Sequence, residues 1–136
     1  MALKIYKSSA GSGKTFTLVK EYLKLCLPYP DRFKYIAALT FTNASATEMK
    51  ARILKTLEQL ADGSNPEMAA ILMNEGITAK QLSNAPILLE KILYDYSNFN
   101  ISTIDSFFHR IVRSFNKELN IPSDFEINID TQEATD

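Results

Sequence analysis

Lys14 and Thr15 stand side by side behind a run of small residues, Ser8-Ser9-Ala10-Gly11-Ser12-Gly13. An ammonium and a hydroxyl at adjacent positions, reached through glycines, are groups suited to a polyphosphate. The stretch follows the phosphate-loop pattern G-x-x-x-x-G-K-[ST], except that Ser8 takes the place of the first glycine. Gly11 and Gly13 allow left-handed backbone and close approach to a ligand, so successive N–H groups can turn inward as an anion nest. A helix starting near Gly13 adds its positive dipole end and unpaired N–H groups. The candidate nucleotide-binding residues are Ser9, Ala10, Gly11, Ser12, Gly13, Lys14, Thr15 and Phe16. Lys14 can reach the outer phosphates of ATP, and Thr15 can offer its hydroxyl to a bridging Mg2+. These two are the candidate catalytic residues. Hydrolysis also needs a carboxylate at the end of another strand, and no apolar run here ends in Asp-Glu or Asp-x-x-Gly. Asp105 follows the run Phe99 to Ile104 and falls where a helix cap is expected.

The elements that must hold these groups are legible from patterning. Leu3 to Lys7 alternates and reads as a strand. Leu18, Val19, Tyr22, Leu23 and Cys26 repeat at helical spacing until Pro28 and Pro30 stop them. Tyr35 to Phe41 is a near-continuous apolar run, typical of a parallel strand buried on both faces. Ser45 with Glu48 has capping-box spacing, with Asn43 as a second possible cap. Ala46, Met49, Ile53, Leu57 and Leu60 then form one helical face. Segments 67–75 and roughly 79–96 read as helices without recognisable chemistry. Phe99 to Thr103 is a short β-like run, and a helix capped by Asp105 follows through Leu119. Phe125 to Ile129 alternates as an edge strand. Strands alternating with helices argue for an α/β layer with a mostly parallel sheet.

Composition bounds the class. The chain has 136 residues, 46% hydrophobic and 23% charged, one domain's worth of soluble globular sequence. No apolar run approaches the ~20 residues of a membrane helix, and no signal peptide is read at the N-terminus. The one cysteine offers neither an internal disulfide nor a zinc spacing, so a cytoplasmic setting is expected. The net charge is −1, yet residues 1–60 carry ten Lys/Arg against four Asp/Glu, and residues 61–136 five against twelve. A basic half joined to an acidic half is compatible with one face that meets an anion.

Three stretches together resemble one family. They are Ser9 to Leu18; Leu39-Thr40-Phe41-Thr42-Asn43 with Glu48-Met49-Lys50-Ala51-Arg52-Ile53; and Ser102-Thr103-Ile104-Asp105-Ser106-Phe107 with His109-Arg110. In order and spacing they are similar to motifs I, Ia and Ic of superfamily 1A DNA helicases, the UvrD/Rep group, and look closest to its AddA-like and exonuclease V beta-subunit branch. The resemblance implies a partial RecA-like phosphate-loop NTPase domain. On that reading residues 1–136 are the N-terminal part of motor domain 1A, cut before the Walker B motif. It implies ATP hydrolysis coupled to movement on single-stranded or duplex-end DNA. The partners it implies are the remaining helicase domains and a nuclease or helicase subunit. By position, Phe41 and Thr42 would lie near bases or sugar-phosphate, and Asn43 and Ser106 near phosphate. An aromatic face suits any base, and hydroxyl, amide and helix N–H groups suit phosphate. Asp105 stands where UvrD-type members commonly have histidine, and Ala44 where they often have lysine. The upstream glutamine motif has no room ahead of Leu3. The isolated segment is expected to bind nucleotide at best, and to self-associate through uncovered strand edges. Two other readings stay open: a phosphate-loop nucleotide or small-molecule kinase, which would need an arginine-rich lid, and a non-catalytic interaction module.

Overall fold

The computed structural model describes residues 12–119, with side chains described for 15–116. The expected strands at Leu3 to Lys7 and Phe125 to Ile129, and loop residues Ser9, Ala10 and Gly11, lie outside the described residues. Helix α1 spans Ser12–Cys26 and ends two residues ahead of Pro28. A 3-10 turn, Pro30–Tyr35, leads into strand β1, Ala38–Thr40. Helices α2 (Asn43–Asp62), α3 (Pro66–Asn74), α4 (Ala79–Leu82) and α5 (Ala85–Tyr94) follow. A second 3-10 turn, Tyr96–Asn98, precedes strand β2, Ile101–Thr103, and helix α6, Ile104–Leu119. The two strands pair in parallel, Ala38 with Ile101, Leu39 with Ser102 and Thr40 with Thr103. Among the described residues the fold is therefore helix-dominated, with a small parallel sheet, in keeping with α/β.

Several elements differ from the sequence expectation, each for a local reason. Strand β1 has three residues, where the apolar run Tyr35 to Phe41 has seven. Pro30 opens a 3-10 turn that uses residues up to Tyr35, and Phe41 already belongs to the turn leaving the strand. Helix α2 is capped by Thr42, whose backbone is extended and whose side-chain oxygen accepts the Ser45 N–H. Asn43 and Ser45 are thus inside the helix, and Glu48 pairs with Arg52 at 3.3 Å instead of closing a capping box. The helical stretch 79–96 is broken at Ser83 and Asn84. Pro86 has no N–H for a continuous helix, and its ring would clash with the preceding turn. Asn84 sends its side-chain amide to the Leu27 carbonyl at 2.8 Å. Asp105 does not cap α6; Thr103 does, accepting the Ser106 N–H at 3.1 Å.

The core gathers where α2 meets α1, α5 and β2. Ile53 and Leu57 are fully buried on the α2 face that the sequence marked, together with Leu23, Leu27, Leu72, Leu88 and Ile92. Gly63 ends α2 in left-handed backbone, φ +78°, a conformation that costs glycine least. Glu75, just after α3, receives Lys20 at 2.9 Å and Lys24 at 3.0 Å, tying α3 to α1. These hydrogen bonds hold the Glu75 carboxyl below its ordinary range. The tie is fully present above the unfolded pKa of that carboxyl and is lost as pH falls through its folded value.

Candidate functional site

The parallel register decides what meets at one edge of the sheet. Thr40 and Thr103 are partners, so both strands end together, about 4.8 Å apart. From β1 the chain makes a two-residue turn, Phe41 and Thr42, before α2 begins; from β2 it enters α6 at once. Buried Thr40 shapes the first turn by donating its hydroxyl to the Thr42 carbonyl at 3.1 Å.

Each helix then opens with the same device. The Thr42 oxygen accepts the Ser45 N–H at 3.0 Å and donates to the Ser45 hydroxyl at 2.8 Å. The Thr103 oxygen accepts the Ser106 N–H at 3.1 Å and donates to the Ser106 hydroxyl at 2.9 Å. Phe41 is half-buried, while Thr42, Asn43 and Ser106 are exposed. The four residues expected to contact nucleic acid are thereby brought to one edge. The sequence reading did not place Ser45 and Thr103 at this edge, which they join through these bonds. The signal was present: Thr42-x-x-Ser45 and Thr103-x-x-Ser106 are the same spacing at the ends of two strands.

Electrostatics separate the two helix starts. The first turn of α2 has no acidic residue, so its dipole end and free N–H groups face an anion unopposed. The first turn of α6 carries the exposed Asp105, 3.4 Å from His109. That carboxylate favours the helix start but repels a phosphate, so α2 is the stronger anion end. Arg110 reaches back to the Ser102 hydroxyl at 3.0 Å and keeps a cation near β2. Truncating either cap, Thr42→Ala or Thr103→Ala, is expected to cost about 1 kcal/mol of stability, read as a lower midpoint in urea unfolding.

The phosphate-loop residues form a second region. Ser12, Gly13 and Lys14 lie in the first turn of α1, with Thr15 half-buried and Phe16 39% exposed. Phe16 borders a cleft shared with Arg52, Lys55 and Gln59. Those residues lie nine to sixteen positions past the start of α2, or roughly 14–24 Å along it at 1.5 Å per residue. Among the described residues no three of His, Cys, Asp or Glu cluster as metal ligands, and no described helix is long and apolar enough to cross a membrane.

Comparison with known proteins gives a consistent result. Residues 4–135 match the model of the UvrD/REP helicase N-terminal domain. The chain is 32% identical over 130 residues to an ATP-dependent helicase/nuclease subunit of Lactobacillus acidophilus, covering 96% of this chain and 9% of that protein. It is 34% identical over 127 residues to the protein of the same name from Thermoanaerobacter sp., and 31% over 129 residues to that of Bacillus pumilus, covering 92% of this chain and 9% of the relative in each case. The chain thus spans about a tenth of the length of these relatives. No solved structure matches it.

Proposed function

The chain belongs to the UvrD/REP helicase N-terminal domain family, and on that premise we propose that it is the ATP-binding and DNA-contacting part of motor domain 1A. The parent is an ATP-dependent DNA helicase, of the helicase–nuclease kind its relatives' names describe, acting in the cytoplasm and translocating on single-stranded or duplex-end DNA. The remaining helicase domains, and a partner nuclease or helicase subunit, complete the machine. The observation that carries the reading is the parallel pairing of β1 with β2. It supports a single nucleic-acid edge built from Phe41, Thr42, Asn43 and Ser106, with Ser45 added to them.

At this edge the half-buried ring of Phe41 offers part of one face to a base, while the Asn43 amide and the N–H groups opening α2 take phosphate. Removing a stacked aromatic costs ~1–3 kcal/mol per base, and partial burial of this ring argues for the low end. Phe41→Ala is expected to weaken binding of a fluorescein-labelled oligothymidylate about fivefold, measured by anisotropy at fixed salt. Unchanged affinity would remove Phe41 from the interface.

The residues at the start of α1 fit magnesium-ATP as a donor set. The first turn of α1 has no carboxylate to oppose an anion, and Mg2+ bound with nucleotide needs few protein ligands. Bound ATP supplies the phosphoanhydride bond whose hydrolysis drives movement. By the motif, Ser9 to Gly13 would offer N–H groups to the phosphates, Lys14 would neutralise the outer ones, Thr15 would offer its hydroxyl to Mg2+, and Phe16 would close the stretch. The carboxylate that polarises water comes from elsewhere in the parent, so the segment alone binds nucleotide and does not turn it over. The exposed Phe108 and Phe115 of α6 are surface for other domains to cover. In their absence the segment is expected to self-associate, and a monodisperse monomer by light scattering at high concentration would contradict this.

A further inference from the structure

One histidine occurs in the whole chain, His109, and it stands in the second turn of α6. Imidazole is the only side chain whose ordinary titration falls between pH 5 and 8. Carboxylates are ordinarily ionised throughout that range, and burial pushes the thiol of Cys26 up to about 12. His109 is thus the one side chain of this sequence that ordinary chemistry sets to change charge near neutral pH. Its Nε2 lies 3.4 Å from Oδ1 of Asp105, one turn nearer the helix start. Asp105 is the one acidic residue in the first turn of α6, and the first turn of α2 has none. The titrating group is therefore paired with the single carboxylate found at either helix start of the edge.

The other charges around the pair do not compete for it. Helix α6 packs on β1 and β2, and neither strand carries a charged residue. On α2, Glu48 is engaged by Arg52 at 3.3 Å. On α6 itself, Arg110 turns to the Ser102 hydroxyl at 3.0 Å. Arg113, four positions past His109, adds a positive charge that does not titrate in this range.

We propose that His109 is a positioning residue of the nucleic-acid edge and acts through Asp105. The proposal rests on the reading of that edge and adds its control by protons. A protonated imidazole draws the Asp105 carboxylate along the helix surface and cancels its charge, so the start of α6 meets phosphate as freely as the start of α2. A neutral imidazole leaves the carboxylate uncancelled, and half of the edge repels phosphate. His109 lies four positions past Asp105, about 6 Å along the axis. Its own charge is therefore farther from a phosphate at the helix start than the charge it cancels. Protonation of His109 and binding of nucleic acid favour each other, so acid tightens binding.

The test is a pH series from 5.5 to 8 on the 136-residue chain at fixed low salt. Binding of a rhodamine-labelled oligothymidylate is followed by anisotropy for the unmodified chain, His109→Gln and Asp105→Asn. The two side chains are 42% and 64% exposed, outside the core, so both variants keep the fold. The unmodified chain is expected to bind about three- to fivefold more tightly at pH 5.5 than at pH 8, the size of one exposed charge interaction. His109→Gln is expected to hold the weaker, pH 8 affinity throughout. Asp105→Asn is expected to bind at pH 8 as the unmodified chain does at pH 5.5, and to change less than about twofold across the series. A pH dependence that survives in His109→Gln would belong to another group and overturn the proposal. Full pH dependence in Asp105→Asn would also overturn it, by making His109 a phosphate contact in its own right. Binding by the unmodified chain that is flat with pH would overturn the proposal and leave the edge standing. No binding at any pH would overturn both.

Discussion

Lys14→Ala is expected to weaken magnesium-ATP binding by about 10- to 150-fold. Hydrogen bonds to charged groups contribute roughly 1.5–3 kcal/mol each, and 1.4 kcal/mol is a factor of ten in affinity. The effect is read against an unchanged fold. Lys14 stands in the first turn of α1, and the apolar face of that helix starts later, at Leu18 and Val19. Unfolding midpoints of the mutant and the parent sequence should therefore agree. The pairing of the two measurements matters. Lost binding with an intact midpoint assigns the loss to phosphate contact, and unchanged binding would remove Lys14 from the site. Lys14→Arg should recover only part of the affinity. A guanidinium keeps the charge but replaces a compact point charge with a planar fork.

Ile53→Ala is expected to cost about 2–5 kcal/mol, the range for deleting a fully buried aliphatic side chain and leaving part of the cavity open. Ile53 is 0% exposed at the centre of the α2 face that packs on α1, α5 and β2. Against a typical domain stability of ~5–15 kcal/mol, that is a large fraction. Cys26 gives an internal reporter. It is fully buried, and burial pushes its thiol up to about 12, so a thiol reagent reaches it only through opening of the fold. Where reclosing is fast, labelling follows the open population. Ile53→Ala should then raise the labelling rate of Cys26 at least about thirtyfold, the factor that corresponds to 2 kcal/mol. A labelling rate equal to that of the parent sequence would place Ile53 outside the cooperative core.

The fold was most legible where periodicity is long. The face through Ala46, Met49, Ile53 and Leu57 spans about three turns, and no competing pattern interrupts it. Leu60, assigned to the same face, is half-buried at its margin. Strand lengths and caps were less legible, because they depend on single local contests. Tyr35 to Phe41 has the composition of a long buried strand, yet Pro30 commits the residues through Tyr35 to a 3-10 turn. Thr42 and Asn43 are both good caps. Thr42 holds the position because the chain leaves β1 still extended there, with its oxygen in reach of the Ser45 N–H. Asp105 lost to Thr103 on the same ground, since α6 follows β2 without an intervening turn residue. Thr-Phe-Thr-Asn and Ser-Thr-Ile-Asp-Ser could be found in the sequence as separate motifs. That they meet depends on which strands pair, and strand pairing is a tertiary fact that local patterning does not carry. The cleft beside Phe16 was invisible for the same reason, since it forms only where α2 and the turn after it pack against α1.

Whether the two turns act as one nucleic-acid edge is tested most directly by titrating a short oligothymidylate into the 15N-labelled chain, followed amide by amide. The N–H signals of Asn43, Ala44 and Ser45, and those of Asp105 and Ser106, are expected to shift together along one binding isotherm. The α2 start should move most, and every shift should shrink as salt is raised. Shifts confined to one of the two turns, or centred on residues far from the ends of β1 and β2, would contradict a shared edge.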